Sequence, residues 1–311
     1  MKAGIIAVYI VTPELEGLFR LHLKQIKKNT SCSYNIYCLI KEMPAQLRNE
    51  LENDPTFIIC SCPKTDLKSH FEHSYYLEYL TKTAIDDNCN YIVTLHLDSF
   101  PVNNDWVEKL IKINSNGYNV ICPDIMYTSC LFFNNEFYNK YHPTYLIPGN
   151  EVNSGEYKKF IKEQHPTLHS GSGYLFACYV NKLTSYFMNE TVTNNNSDWV
   201  MDYENIYEDI IYHLGQIVQL SGNSKNTFAL DTSFYLKYIC PIVKQLKLIL
   251  PISFINLLKK RFASVHAVII GRPNFQFVKN RSENKLKNLL DNPELYLDNI
   301  RAIPSEQFIK M

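Results

Sequence analysis

The stretch 91-YIVTLHLDSFPVNNDWVEKL-110 decides the fold of this chain. It opens with a continuous apolar run of β-forming residues, which is typical of a strand buried in a parallel sheet. The run ends in His96, Leu97 and Asp98, and a proline, polar residues and an amphipathic helix start follow. Because ligands of open α/β sheets bind at the carboxyl ends of strands, we expect Asp98 to project into an open cleft. The alternative is that Asp98 caps the following turn or helix, as aspartates often do.

Alternating strand and helix patterns surround this stretch. Apolar runs of β-forming residues take turns with one-sided helical patterns along residues 5–123. The predicted strands are 5–11, 34–40, 57–60, 91–97 and 120–122, and the predicted helices are 12–29, 44–51, 68–87 and 105–113. This order predicts an α/β fold with a Rossmann-like, mostly parallel central sheet flanked by helices.

The patterns change in the second half of the chain. Residues 124–170 show no clear periodicity and predict a long irregular segment, which in a compact domain is usually functional. The elements predicted after it are a strand at 174–180 and helices at 181–189 and 203–214. From about residue 235 the sequence is helical, apolar and basic. We therefore expect a ligand-binding domain at 1–235 and a helical C-terminal extension at 236–311 that packs on it.

The composition indicates which partners the protein binds and in which cellular compartment it lies. The 311 residues include 31 basic and 31 acidic side chains, so the formal net charge is zero. A nucleic-acid binder would need a basic excess to contact phosphates, so we expect no nucleic-acid partner. The nine cysteines are odd in number and form no CxxC pair, which favours free thiols in a reducing cytoplasm.

The sequence lacks the glycine-rich loops that hold phosphates on backbone amides. Neither GxGxxG nor GxxxxGK[ST] occurs. A nucleotide bound at Asp98 would then need another way to neutralise its phosphates. A divalent metal held by carboxylate and imidazole groups, and bridging phosphate oxygens, is that alternative.

With these residues in view, the chain resembles the GT-A glycosyltransferases and is similar to their family 2. The segment 92-IVTLHLDSFPVNNDWVEKLI-111 resembles the family pattern of apolar strand, Asp-x-Asp, short polar loop, Trp and helix. Asp98 matches the metal-binding aspartate of that pattern, and His96 replaces the first aspartate, where it can ligate the metal or hydrogen-bond the ribose. The stretches 172-SGYLFACYVNKL-183 and 198-DWVMDYENIYEDIIYHLG-215 also look like family segments, beneath the donor sugar and facing the acceptor.

The resemblance implies an activity and its ligands. It implies a metal-dependent, inverting glycosyltransferase that moves a sugar from a nucleotide-diphosphate donor to a saccharide or lipid-linked saccharide acceptor. Mn²⁺ or Mg²⁺ would be held by Asp98, His96 and a histidine near the C-terminus, for which His266 is the first choice and His213 the competitor. Arg272 would pair with the diphosphate.

The remaining site residues also follow from the resemblance. In 202-DYENIYED-209, Asp209 is the first candidate for the base that deprotonates the acceptor, and Glu208 is the second. Carboxylates there would equally suit the start of a helix, whose macrodipole favours them. Thr12, Glu14 and His73 are expected beside the nucleotide.

Two further alternatives stay open at this stage. The basic, apolar segment 240–262 fits either packing on the domain or contact with the inner face of a membrane. The rivals to sugar transfer are an inactive nucleotide- or saccharide-binding protein of the same fold and a nucleotidyltransferase. The nucleotidyltransferase is disfavoured because 11-VTPELEGLFR-20 lacks the glycine-rich basic loop of that class.

Overall fold

A computed structural model describes residues 1–193 (without Ile125, His165 and Thr167), 204–215 and 275–301. The chain divides into two compact units. The first comprises residues 1–193, 204–214 and the chain from Ile300 onward, and the second comprises 194–203 and 215–299. All of the site described below lies in the first unit.

A seven-stranded sheet forms the centre of the first unit, in the order β3-β2-β1-β4-β7-β6-β8. Every neighbouring pair is parallel except the two pairs made by β7, which runs antiparallel to β4 and to β6. The strands are β1 (Lys2–Ile10), β2 (Ser33–Glu42), β3 (Phe57–Ile59), β4 (Tyr91–Thr94), β6 (Tyr118–Pro123), β7 (Phe132–Asn134) and β8 (Thr184–Met188).

A second, antiparallel sheet of four short strands stands beside the carboxyl end of β4, in the order β5-β11-β10-β9. Its strands are β5 (Ser99–Pro101), β9 (Glu190–Thr193), β10 (Asn205–Tyr207) and β11 (Ile211–His213). Because β5 follows directly after Asp98, this sheet joins a late part of the chain to the end of the central strand.

Helices flank the central sheet and bury their apolar stripes against it. In α1, residues Leu18, Phe19 and Ile26 recur at helical spacing and are buried. The helices of the first unit are α1 (Glu16–Asn29), α2 (Ala45–Glu52), α3 (His70–Asp86), α4 (Trp106–Ser115), α5 (Asn135–Tyr141), α6 (Gly155–Gln164) and α7 (Ser172–Val180). The second unit contains α8 (Phe275–Asp291) and all but the last two residues of α9 (Pro293–Arg301). Within the described ranges, none of the helices is long and apolar enough to cross a membrane.

The predicted fold class, an α/β fold with a mostly parallel sheet flanked by helices, is confirmed. The elements predicted up to Pro123 are confirmed with small shifts at their ends. Two helices, α8 and α9, lie in the predicted C-terminal extension. The boundary at 235 and the segment 240–262 lie outside the described residues.

Four predictions after Pro123 are wrong. The segment 124–170 contains β7, α5 and α6, and the predicted strand at 174–180 is helix α7. A short, wholly apolar run such as SGYLFACYV has no period that separates a buried helix from a buried strand. The predicted helix at 181–189 contains β8, and the one at 203–214 is the β10–β11 hairpin, whose Ile and Tyr residues favour strands.

A buried polar cluster lies between α3 and α7. Neither Oε2 of Glu78 nor the hydroxyl of Tyr174 has a hydrogen-bond partner within the described part of the chain. Thr81 and Tyr145 form a hydrogen bond nearby, between their hydroxyls, at 2.8 Å. Burial raises the pKa of the Glu78 carboxyl to about 8, because the charged form is poorly solvated there.

We expect Glu78→Gln to stabilise the protein at pH 8 and to flatten the pH dependence of its stability. The folded pKa lies above the unfolded value of 4.5, so the native state holds the extra proton, and the free energy of unfolding falls as pH rises from 4.5 to about 8. Chemical denaturation at pH 5 and pH 8 measures this, with the exposed Glu136→Gln as control. An equal pH slope in Glu78→Gln and wild type would contradict it.

Candidate metal and donor site

The chain turns sharply between β4 and β5, and backbone contacts fix that turn. The Leu95 amide continues the sheet by donating to the Ile6 carbonyl at 2.9 Å. The His96 amide donates to Ser99 Oγ at 2.8 Å, and Ser99 Oγ in turn donates to the Ser129 carbonyl at 2.7 Å. His96 and Asp98 are therefore presented from a braced turn at the carboxyl end of the sheet.

Strand β11 brings His213 to this turn. His213 pairs with Ser99 in the β5–β11 ladder, and the Leu214 amide donates to the Asp98 carbonyl at 2.8 Å. As a result, His213 Nε2 lies 3.6 Å from Asp98 Oδ1, and the rings of His96 and His213 are 6.1 Å apart. One ligand atom each from His96, Asp98 and His213 lies within 4.8 Å of the others.

Asp98 is less accessible than the sequence indicated. Its exposed fraction is only 6%, so the prediction that it projects into an open cleft is wrong. Burial alone raises the pKa of this carboxyl, but His213 and His96 outweigh burial and hold it below its usual value. Burial, with a smaller contribution from His73, lowers the pKa of His96 to about 3, so the His96 ring is neutral.

The burial of His213 and its lack of hydrogen bonds fit a cation at this cluster. The residue is 1% exposed, and neither of its ring nitrogens has a hydrogen-bond partner within the described ranges. A buried imidazole without partners is unfavourable, and a metal ion would use one of these lone pairs. Two ligand atoms bonded at about 2.1 Å in a tetrahedral arrangement lie roughly 3.4 Å apart. The His213 Nε2 and Asp98 Oδ1 atoms, at 3.6 Å, already match that separation, and ligand atoms as far apart as 4.8 Å would have to move closer.

Two further parts of the fold place side chains against His96. Thr128 Oγ1, from the turn Tyr127–Ser129, lies 2.9 Å from His96 Nε2. The His73 ring, from the first turns of α3, packs edge-on against His96 at 5.4 Å, and burial lowers its pKa to about 4. Thr12 and the exposed Glu14 follow β1, the parallel neighbour of β4, at the same sheet edge.

A positioning contact that the sequence did not reveal comes from α1. The buried His22 places Nδ1 2.8 Å from the Ser99 carbonyl and Nε2 3.1 Å from the Tyr9 hydroxyl. Burial lowers the pKa of His22 to about 4, so the ring stays neutral. Only its burial on the apolar face of α1 would have signalled this role, since a histidine among LFRLHLKQI carries no motif.

Glu208 and Asp209 lie at the tip of the β10–β11 hairpin, not at the start of a helix as predicted. Both have positive φ, of 53° and 51°. Asp209 accepts hydrogen bonds from Arg301 at 2.8 Å and from Asn103 at 3.0 Å, about 13 Å along the hairpin from His213. Glu208 accepts from Tyr186 and from Asn189. Their role as catalytic base stays a sequence-based prediction.

Two predicted site residues cannot be placed. His266, the first choice for the third metal ligand, and Arg272, predicted on the diphosphate, lie outside the described residues. His213, its competitor in the sequence, is the histidine that the described structure brings to Asp98.

No protein-family model matches the chain, and no curated protein matches it either. Solved structures do. Residues 1–349 of Staphylococcus aureus TarS with UDP-GlcNAc match at 8% identity and a TM-score of 0.35, over 47% of this chain and 48% of that one. Mouse xyloside xylosyltransferase 1 matches at 9% identity and 0.39, over 62% and 87%. A Pyrobaculum calidifontis mannosyltransferase with GDP-Man and Mn²⁺ matches at 12% and 0.34, over 45% and 46%.

The chain thus spans about half the length of the TarS fragment that it matches. With TM-scores below 0.5, these similarities are too low to assign a function to the chain. The function has to be inferred from the site.

We expect Mn²⁺ to raise the melting temperature of the wild-type protein and to have no such effect on His213→Ala. An ion at a hundred times its dissociation constant adds about 2.7 kcal/mol to the free energy of unfolding. Thermal denaturation with EDTA or Mn²⁺ measures the shift. His142→Asn is the matched control, because His142 is exposed and Asn tolerates its left-handed backbone. An equal shift in His213→Ala would contradict the site.

Asp209→Asn should weaken stability slightly and leave Mn²⁺ binding unchanged. Its ion pair with Arg301 is largely exposed, with side chains 32% and 43% exposed, and such pairs contribute about 0–1 kcal/mol. Denaturation with and without Mn²⁺ separates the two effects. Loss of the Mn²⁺ response in this variant would show that the hairpin tip belongs to the cation site.

Proposed function

We propose that this chain is a metal-dependent glycosyltransferase of the GT-A type. It would transfer a sugar from a nucleotide-diphosphate donor to a saccharide acceptor. The observation that carries the proposal is the cluster of His96, Asp98 and His213 at the carboxyl end of the central sheet, in which the buried His213 ring makes no hydrogen bond to the described residues.

The ligand set favours Mn²⁺ over Mg²⁺ as the resident cation. Mg²⁺ prefers oxygen ligands, whereas two imidazoles with one carboxylate suit a transition-metal ion. His96, Asp98 and His213 would hold the ion, and when bound it would supply positive charge to the phosphate oxygens of the donor. The absence of a glycine-rich phosphate loop from the sequence makes that charge necessary.

Other residues of the chain would position the metal ligands and accept the proton of the acceptor. Thr128 fixes the His96 ring through Nε2, and His22 fixes the Ser99 backbone beside Asp98. In the transfer, the bond between the anomeric carbon and the phosphate oxygen breaks, and the acceptor oxygen bonds to that carbon. The acceptor proton passes to a base, for which Asp209 and Glu208 are the sequence-predicted candidates. In an inverting transfer the acceptor attacks from the face opposite the diphosphate.

UDP-GlcNAc and GDP-Man, the nucleotide sugars present in two of the matched structures, are included among the donors to be tested. His73, Thr12 and Glu14 occupy the edge at which the nucleotide would lie. A lipid-linked acceptor, and contact of 240–262 with the inner face of a membrane, stay part of the proposal as sequence-based expectations.

Asp98→Asn should abolish release of nucleoside diphosphate from the donor. The amide keeps the shape of the side chain but removes the charge that holds the cation, so we expect a loss of at least about 10²-fold. UDP-GlcNAc, UDP-xylose, UDP-glucose and GDP-mannose are incubated with protein and Mn²⁺, and free nucleoside diphosphate is quantified.

Asp66→Asn, at an exposed position, is the control for the change in charge. It should release diphosphate at the wild-type rate. Full turnover by Asp98→Asn would remove the proposed mechanism. Binding of all four donors without turnover by the wild-type protein would favour an inactive binding protein instead.

A further inference from the structure

A second feature of the first unit is a cavity of about 490 Å³ beside the strand β6. It opens between α6, α7 and β8, and Asp124 and Tyr127 close its side toward the sheet edge. This volume lies within the range of small-molecule sites in proteins. None of the residues already placed at the cation cluster lines it.

The sheet register sets the distance between this cavity and the cluster. Val93 of β4 and Ile121 of β6 both pair with Phe132 of β7, so the three residues lie in one row across the sheet. Asp124 and His96 each lie three residues beyond that row, just past the ends of β6 and β4 at the same edge of the sheet. The two strands are separated by β7 alone, which corresponds to about 10 Å. A sugar linked to a phosphate would fit that gap.

The turn Tyr127–Ser129 connects the cavity directly to the cluster of His96, Asp98 and His213. Tyr127 lines the cavity, while the next residue, Thr128, contacts His96 Nε2 at 2.9 Å. The Tyr127 ring is packed between His169 and Phe187, with centroids at 4.6 Å and 6.4 Å. Tyr127 and Thr128, which separate the cavity from the cluster, are therefore fixed by contacts on both the cavity side and the cluster side.

The lining combines aromatic faces with polar groups that suit hydroxyls. Phe187 offers an exposed aromatic face, which the buried Phe160 and Tyr127 support from behind, and Gln164, Thr184 and Asp124 offer hydrogen-bonding groups. Aromatic faces pack well on the C–H faces of sugar rings, and a carboxylate accepts hydrogen bonds from hydroxyls. The lining carries the carboxylate of Asp124, whose negative charge disfavours a diphosphate or an acidic sugar.

We infer that this cavity is the acceptor subsite and that it takes a neutral saccharide. The inference rests on the proposed function, because the acceptor must lie within reach of a sugar whose diphosphate is held at Asp98. Phe187, which is 39% exposed, stacks on the sugar at the cavity mouth, and Asp124 accepts one of its hydroxyls.

The experiment measures saccharide capture without donor or metal. Labelled full-length protein in EDTA is applied to an array of immobilised neutral and acidic oligosaccharides. We expect binding to neutral oligosaccharides, weakened at least about tenfold by Phe187→Ala and by Thr184→Arg, which fills the cavity from an exposed position. Tyr79→Ala is the control, since Tyr79 is 37% exposed on α3, outside the cavity, and should bind as wild type does.

The outcomes separate this inference from the proposed function. No binding to neutral oligosaccharides, binding to acidic ones alone, or unchanged binding by Thr184→Arg and Phe187→Ala overturns the subsite, while donor turnover can still be normal. Conversely, saccharide binding retained in Asp98→Asn supports the subsite, since that variant lacks only the cation. Melting temperatures of the variants verify that each one is folded.

Discussion

The site depends on one backbone interaction, the antiparallel pairing of Ser99–Pro101 with Ile211–His213. Asp98 and His213 are more than a hundred residues apart in the chain, and this ladder places them side by side, with the Leu214 amide on the Asp98 carbonyl. Loop closure over such a separation costs entropy that the ladder alone would not offset. The contacts of Ser99 with Ser129 and with His22 add to the ladder and fix its position at the end of β4.

The same pairing explains the electrostatics of the cluster. It buries a carboxylate beside the neutral ring of His96, and a buried charge is costly unless an opposite charge is close. The described neighbours of Asp98 include no lysine or arginine partner, and only His213 pairs with it, at 3.6 Å. A divalent cation would neutralise that charge and occupy the lone pairs of His213. The cluster is therefore better suited to holding an ion than to stabilising the fold.

The sequence predicted the first half of the molecule well because parallel strands and amphipathic helices leave clear periods. Asp98 was found because it follows such a strand, in the turn after Thr94. His213 could be named only as a second choice, since a three-residue strand in a hairpin has too few residues to show an alternation. For the same reason Glu208 and Asp209 were assigned to a helix, although they form the hairpin tip. The contacts of His22 and Thr128 arise from tertiary packing, which local patterns do not encode.

The most direct test of the account is electron spin-echo spectroscopy of Mn²⁺ bound to the wild-type protein, before and after addition of UDP. We predict modulation from the nitrogens of two imidazoles, those of His96 and His213, and a phosphorus coupling that appears with the nucleotide. Phosphorus coupling without nitrogen modulation would mean that the ion is carried by the nucleotide alone. A spectrum with neither signal would contradict the central claim, that these three side chains hold the ion which binds the donor.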